Sequence, residues 1–203
     1  MDLPEADSLK FKIIMIGNSG VGKSNLMMRY ILDDFMLGSQ PTTGIETGNR
    51  VCFDDGKEIL ASVWDTCGQD RYRSITRSYY RNAFGAVLVY DISNRDSFMD
   101  IEKWYQDFRY TTGKHTPILL IGNKTDLINL RSVETWEGEK YASQRGMDFV
   151  ELSALDSLQS TILREFDTLV SAIHKQVKAG FLKLSAGRST IRPFNPDEQR
   201  KCC

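Results

Sequence analysis

The chain has 203 residues, 41% of them hydrophobic and 26% charged, which suffices for one ordinary domain with a buried core and excludes disorder as the dominant state. Its formal net charge of −1 argues against a nucleic-acid binder held by bulk charge. No apolar run approaches the roughly 18–20 residues of a bilayer span, and the acidic start Met1-Asp2-Leu3-Pro4-Glu5 lacks the regions of a signal peptide, so a cytosolic protein is expected.

Residues 1–8 carry no pattern and are expected to form a flexible N-terminus. Phe11 to Ile16 reads as a buried strand that stops at Gly17, and Lys23 to about Asp33 follows as a helix. Arg50 to Phe53 and Glu58 to Trp64 flank Asp54-Asp55-Gly56-Lys57, a turn signal that joins two antiparallel strands. Phe84 to Tyr90, Pro117 to Gly122 and Asp148 to Leu152 read as further strands, each followed by a helical stretch, at about 95–111, 133–145 and 159–178. This alternation implies an α/β fold with a mostly parallel sheet, helices on both faces, and ligands at the carboxyl ends of the strands. Residues 9–178 therefore read as one domain. Beyond Lys178 the helical period fails at Gly180, and Gly187, Pro193 and Pro196 interrupt what remains, so residues 179–203 are expected to be a flexible tail. That tail is basic: Lys183, Arg188, Arg192, Arg200 and Lys201 stand against Asp197 and Glu198. Cys52 and Cys67 sit in patterned segments and read as reduced packing residues, whereas no patterned segment surrounds the adjacent Cys202 and Cys203.

Gly17-Asn18-Ser19-Gly20-Val21-Gly22-Lys23-Ser24 matches the phosphate-binding loop G-x-x-x-x-G-K-[ST], between a predicted strand and a predicted helix. Its glycines let successive N–H groups, from Ser19, Gly20, Val21 and Gly22 through Asn25, face phosphate oxygens, and the helix adds its positive end. Lys23 supplies a full charge to the terminal phosphates, and the Ser24 hydroxyl is a candidate Mg²⁺ ligand. Asn123-Lys124-Thr125-Asp126 follows the strand ending at Gly122, and a carboxylate at Asp126 accepts from both the ring N–H and the exocyclic amine of guanine, whereas adenine presents the wrong pattern. Trp64-Asp65-Thr66-Cys67-Gly68-Gln69 closes another strand: Asp65 is placed to hold Mg²⁺, Gly68 to offer an N–H to a terminal phosphate, and Gln69 to orient an attacking water. His115 and His174 have no metal-ligand partner at useful spacing and receive no role.

In this order and spacing the three motifs resemble the Ras-superfamily small GTPases, specifically the Rab family, over residues 8–178. The unbroken run Trp64 to Asp91, WDTCGQDRYRSITRSYYRNAFGAVLVYD, is the most Rab-like, and Cys202-Cys203 matches a Rab ending. The resemblance implies the P-loop NTPase fold of small G proteins, with a mixed, mostly parallel six-stranded sheet. It implies that Thr42 is the magnesium-binding threonine of the first switch, that Phe35 packs edge-on against guanine, and that Ser153-Ala154-Leu155 is the base loop whose alanine N–H meets the guanine oxygen. Four residues depart from the family pattern: Leu155 replaces a lysine, Cys67 an alanine, Asp70 a glutamate, and Thr47 a phenylalanine. Thr47 belongs to three positions read by effectors, of which Trp64 and Tyr79 keep their aromatic character.

The implied activity is slow GTP hydrolysis and a GDP/GTP cycle that recruits effectors and regulates vesicle and membrane traffic. Gln69 and Lys23 would carry the chemistry with Mg²⁺ as cofactor. The implied partners are an exchange factor, a GTPase-activating protein that supplies an arginine finger, a GDP-dissociation inhibitor and a prenylation escort. Two geranylgeranyl groups on Cys202 and Cys203 would anchor a monomer at the cytoplasmic face of an intracellular membrane, Golgi or endo-lysosomal, helped by Arg200 and Lys201. Two rivals stand beside this reading. A GTP-binding adaptor without hydrolysis is opposed by Gln69, and a phosphotransferase would need an acceptor pocket for which the chain leaves little room.

Overall fold

The computed structural model describes residues 9–37, 42, 44–68, 77–156 and 158–184. Six strands, β1 (Leu9–Ile16), β2 (Ile45–Asp54), β3 (Lys57–Thr66), β4 (Gly85–Asp91), β5 (Ile118–Asn123) and β6 (Asp148–Glu151), form one sheet in the order β2-β3-β1-β4-β5-β6. All neighbours run parallel except β2 and β3, which pair antiparallel from Ile45 opposite Thr66 to Asp54 opposite Lys57. Between them Asp55 and Gly56 have φ of 49° and 70°, the two positive values that a two-residue hairpin turn matching strand twist requires.

Flanking the sheet are helices α1 (Lys23–Leu32), α2 (Arg95–Met99), α3 (Ile101–Thr112), α4 (Thr135–Ser143) and α5 (Gln159–Lys178), with a short 3₁₀ turn at Thr125–Leu130. Successive strand residues point to opposite faces, so a strand buried on both sides reads as continuous apolar sequence. Phe11, Ile13 and Met15 of β1, with Val87, Val89, Leu119 and Ile121, pack on one face against Leu26 and Tyr30 of α1 and Phe166, Leu169 and Ile173 of α5. Ile14 and Ile16, with Leu88, Tyr90, Ile118 and Leu120, pack on the other against Ile101, Trp104 and Phe108 of α3 and Ala142 of α4. Helices thus cover both faces, and β1 lies between β3 and β4 at the centre.

Three differences from the sequence expectations have local causes. The helix expected at 95–111 divides at Asp100, whose carboxylate accepts the Asn18 amide at 2.8 Å and the Lys103 ammonium at 2.5 Å, the first a long-range bond that periodicity does not carry. Capping trims the helix expected at 133–145: Glu134 and Glu137 bond reciprocally across its first turn and start it at Thr135. Packing also continues past Lys178, because Phe181 stacks on His115 with ring centres 4.3 Å apart and Leu182 packs against the core. No helix among the described residues is long and apolar enough to cross a membrane.

Candidate functional site

The carboxyl ends of β1, β3 and β5 converge with the segment that follows β6, where an α/β sheet with β1 at its centre presents its crevice. The loop after β1 leads into α1, which starts without a side-chain cap and so leaves first-turn N–H groups to an outside acceptor. Gly22 turns the chain with φ of 95°, and a Cβ there would lie 2.3 Å from the Asn123 amide nitrogen. Lys23 is 6% exposed and donates to the carbonyls of Gly17 at 3.0 Å and Asn18 at 2.9 Å, so its ammonium is held inside the loop. Burial pulls the Lys23 ammonium below its ordinary value, and the nearby Asp65 charge opposes that shift. Gly68 lies directly on this loop, since a Cβ at that position would come within 2.5 Å of Asn18 C, Gly17 O and Ser19 N.

Beside Lys23, three oxygens meet. The Ser24 hydroxyl donates to Asp65 Oδ2 at 2.5 Å, Thr42 Oγ1 donates to the same oxygen at 3.2 Å, and the two hydroxyls are 3.1 Å apart. Asp65 is fully buried, and its Oδ1 has no hydrogen-bond partner among the described residues. Burial pushes the Asp65 carboxyl above the usual carboxylate range, against the pull of Lys23 and the two hydroxyls. Two hydroxyls and one carboxylate with an unmatched oxygen are a hard-oxygen set that fits a small divalent cation completing its shell with water and phosphate. No group of three His, Cys, Asp or Glu side chains able to hold a metal occurs among the described residues.

A cavity of about 90 Å³ opens next to the loop and is lined by Gly22, Asn25, Phe35, Asn123, Lys124, Asp126, Ser153, Ala154 and Leu155. Every base-contact residue inferred above lies on it. Asn123 joins its parts: the side-chain amide donates to Val21 O at 2.8 Å and its oxygen accepts the Ala154 N–H at 3.1 Å. That N–H, expected to face the guanine oxygen, is therefore directed at Asn123 here. Asp126 accepts a bond from Ser153 Oγ, which also takes the N–H groups of Leu155 at 3.0 Å and Asp156 at 3.2 Å. Lys124 has φ of 68° and pairs with Asp91 at 2.7 Å. Asn25 both accepts from Met36 N at 3.0 Å and donates to Met36 O at 3.3 Å, tying the segment after Phe35 to α1.

Two supports had no motif to announce them. Trp104 Nε1 donates to Asn18 Oδ1 at 2.7 Å, so α3 steadies the phosphate loop from the far face. Arg29 reaches the base loop from α1. His174, given no role from its sequence surroundings, is buried and bonds Asp54 Oδ2 at 2.6 Å. Cys67 is buried and Leu155 is 43% exposed. On the hairpin face Thr47 stands opposite Trp64 in register, Trp64 and Tyr79 have ring centres 6.4 Å apart, and the Lys12 ammonium lies 4.1 Å above the Trp64 ring. Gln69, Asp70, Cys202 and Cys203 lie outside the described residues.

Comparison with known proteins follows the same lines. The family model described as "Ras family" matches residues 12–175. The GTP-binding protein ypt3 of Schizosaccharomyces pombe is 42% identical over 183 residues, 90% of this chain and 84% of that protein. The Ras-related protein RABA2a of Arabidopsis thaliana is 42% identical over 165 residues, 81% of this chain and 75% of the relative. The Ras-related protein rab-11.1 of Caenorhabditis elegans is 39% identical over 200 residues, 95% and 94% of the respective chains.

Proposed function

The chain belongs to the Ras family as a Rab-type small GTPase, a guanine-nucleotide switch of membrane traffic, and from that premise we propose how its own residues carry the cycle. The observation that carries the reading is the joining of two motifs distant in sequence: Asn123 bonds both the phosphate loop and the base loop around one cavity. Guanine enters that cavity with Asp126 accepting from its ring N–H and amine, while Phe35 and Lys124 border the ring and Ser153-Ala154-Leu155 close one side. The loop N–H groups from Ser19 to Asn25 hold the phosphates at the start of α1. Lys23 leaves the carbonyls of Gly17 and Asn18 for phosphate oxygens, which offsets the cost of its burial.

Ser24, Thr42 and Asp65 would hold Mg²⁺, which when bound neutralises charge on the phosphate oxygens. Thr42 and Gly68 gain partners at the terminal phosphate that GDP lacks, so the segments bearing them respond to the nucleotide state. Gln69 orients the attacking water, and an activating protein supplies the arginine finger. Thr47, Trp64 and Tyr79 present the effector surface, an exchange factor opens the site, and a dissociation inhibitor and a prenylation escort handle the lipidated form. Geranylgeranyl groups on Cys202 and Cys203 hold the protein at the cytoplasmic face of an intracellular membrane.

Single-turnover GTP hydrolysis by the purified, unlipidated chain with Mg²⁺ tests the chemistry, with Gln69→Leu alongside. Slow phosphate release, on the order of 10⁻⁴ s⁻¹ as in an unaided relative, is expected, and it should fall further in the variant. Tight GTP binding without turnover in either protein, unrestored by an activating protein, would replace the switch with an adaptor.

A further inference from the structure

We propose that Arg29 is a positioning residue for the guanine pocket, bracing its base loop and its aromatic lining from one guanidinium. Arg29 lies in the last turn of α1. Its Nε donates to Ala154 O at 2.8 Å and its Nη2 to Leu155 O at 3.0 Å, two successive carbonyls of the base loop. The same guanidinium lies 5.9 Å from the centre of the Phe35 ring, on another lining segment of the cavity. Asp33 holds the group from a third direction at 3.3 Å, and Gln159, which opens α5, donates to the Arg29 carbonyl at 3.3 Å.

The chemistry calls for arginine in particular. Its planar fork presents parallel N–H groups at fixed spacing, whereas a lysine ammonium satisfies one carbonyl as a point donor and leaves the second to water. The base loop needs outside support because its third side chain, Leu155, is apolar and 43% exposed. Ser153 Oγ gathers the Leu155 and Asp156 N–H groups from inside the loop, and Arg29 gathers the carbonyls from outside. Ser153 also bonds Asp126, so a shift of the loop propagates to the carboxylate that reads the base. Arg29 touches no substrate atom and acts through the loop.

This inference rests on the guanine-nucleotide reading of the cavity. Its test is the release of methylanthraniloyl-labelled GDP, and of the inosine analogue that lacks the exocyclic amine, from the full chain and from Arg29→Lys and Arg29→Ala. Loss of one or two charge-assisted bonds predicts GDP release faster by about tenfold in Arg29→Ala, a smaller increase in Arg29→Lys, and a narrowed preference for GDP over the inosine analogue in both. If Arg29→Ala does not yield folded protein by circular dichroism, Arg29→Lys carries the comparison. Release within about twofold of wild type would overturn the proposal, as would faster release with the base preference unchanged, which marks general loosening of the fold. Failure of the wild-type chain to bind labelled GDP would remove the nucleotide reading itself, and this inference with it.

Discussion

Asp126, the residue proposed to read the base, takes its orientation from its surroundings. The carboxylate is oriented by Ser153 Oγ from the loop after β6, while Asn123, three positions earlier, holds that loop to the phosphate site. In the proposed pocket Asp126→Asn removes the charge and replaces one of two acceptor oxygens by an N–H donor, so one guanine N–H keeps only a neutral acceptor and the other meets a donor. GDP affinity should fall by about a hundredfold or more, and xanthosine diphosphate, which presents an acceptor where guanine has its amine, should bind better than GDP. Equilibrium titration with both labelled nucleotides measures this, and unchanged GDP affinity would remove Asp126 from the base contact. The motif residues were legible in the sequence because their spacing is set by backbone geometry around a phosphate and a base. Arg29 and Trp104 were not, because each bonds a partner over 80 residues away through ordinary side-chain N–H donors that form no local pattern.

At the scale of elements, α5 clasps the tip of the β2–β3 hairpin. Ser171 Oγ donates to Asp54 Oδ1 at 2.6 Å, His174 bonds Asp54 Oδ2, and Lys178 pairs with Asp55. The bonds from Ser171 and then His174 hold the Asp54 carboxyl below its ordinary value. A depressed carboxyl contributes stability above its unfolded pKa of about 3.9 and loses that contribution as pH falls through the folded value. Asp54→Asn should therefore melt lower than wild type at neutral pH, with the difference shrinking below about pH 4. His174→Ala should cost about 1–3 kcal/mol, a drop of roughly 2–12 °C in melting temperature for a domain of this size. A His174→Ala melting temperature equal to wild type would mean the clasp contributes nothing. The hairpin itself was legible, since its turn residues and flanking strands are local features. The clasp was not, because His174 sits among polar neighbours in sequence and meets Asp54 only when α5 lies across the sheet edge.

For the whole molecule, the parallel strands direct their carboxyl ends to one edge, so loops after β1, β3 and β5 and the segment after β6 meet there although they span residues 17–155 of the chain. The proposed lipid anchor belongs to this scale as well. Doubly geranylgeranylated protein should sediment with anionic vesicles and stay bound through washing, whereas Cys203→Ser, with one chain, should wash off, as expected of marginal one-lipid affinity. Equal retention of both forms would count against a two-lipid requirement. The sequence by itself determined the fold class, the phosphate and base motifs and the oxygens proposed to face a metal, because alternating apolar runs and short-range loop geometry are encoded within a few residues of each other. Only the tertiary structure decided that Ser24, Thr42 and Asp65 share one point, that Asn123 ties two loops together, and that Arg29 and Trp104 brace them. Those contacts depend on how helices seat across a twisted sheet, a property of the packed core that no window of sequence contains.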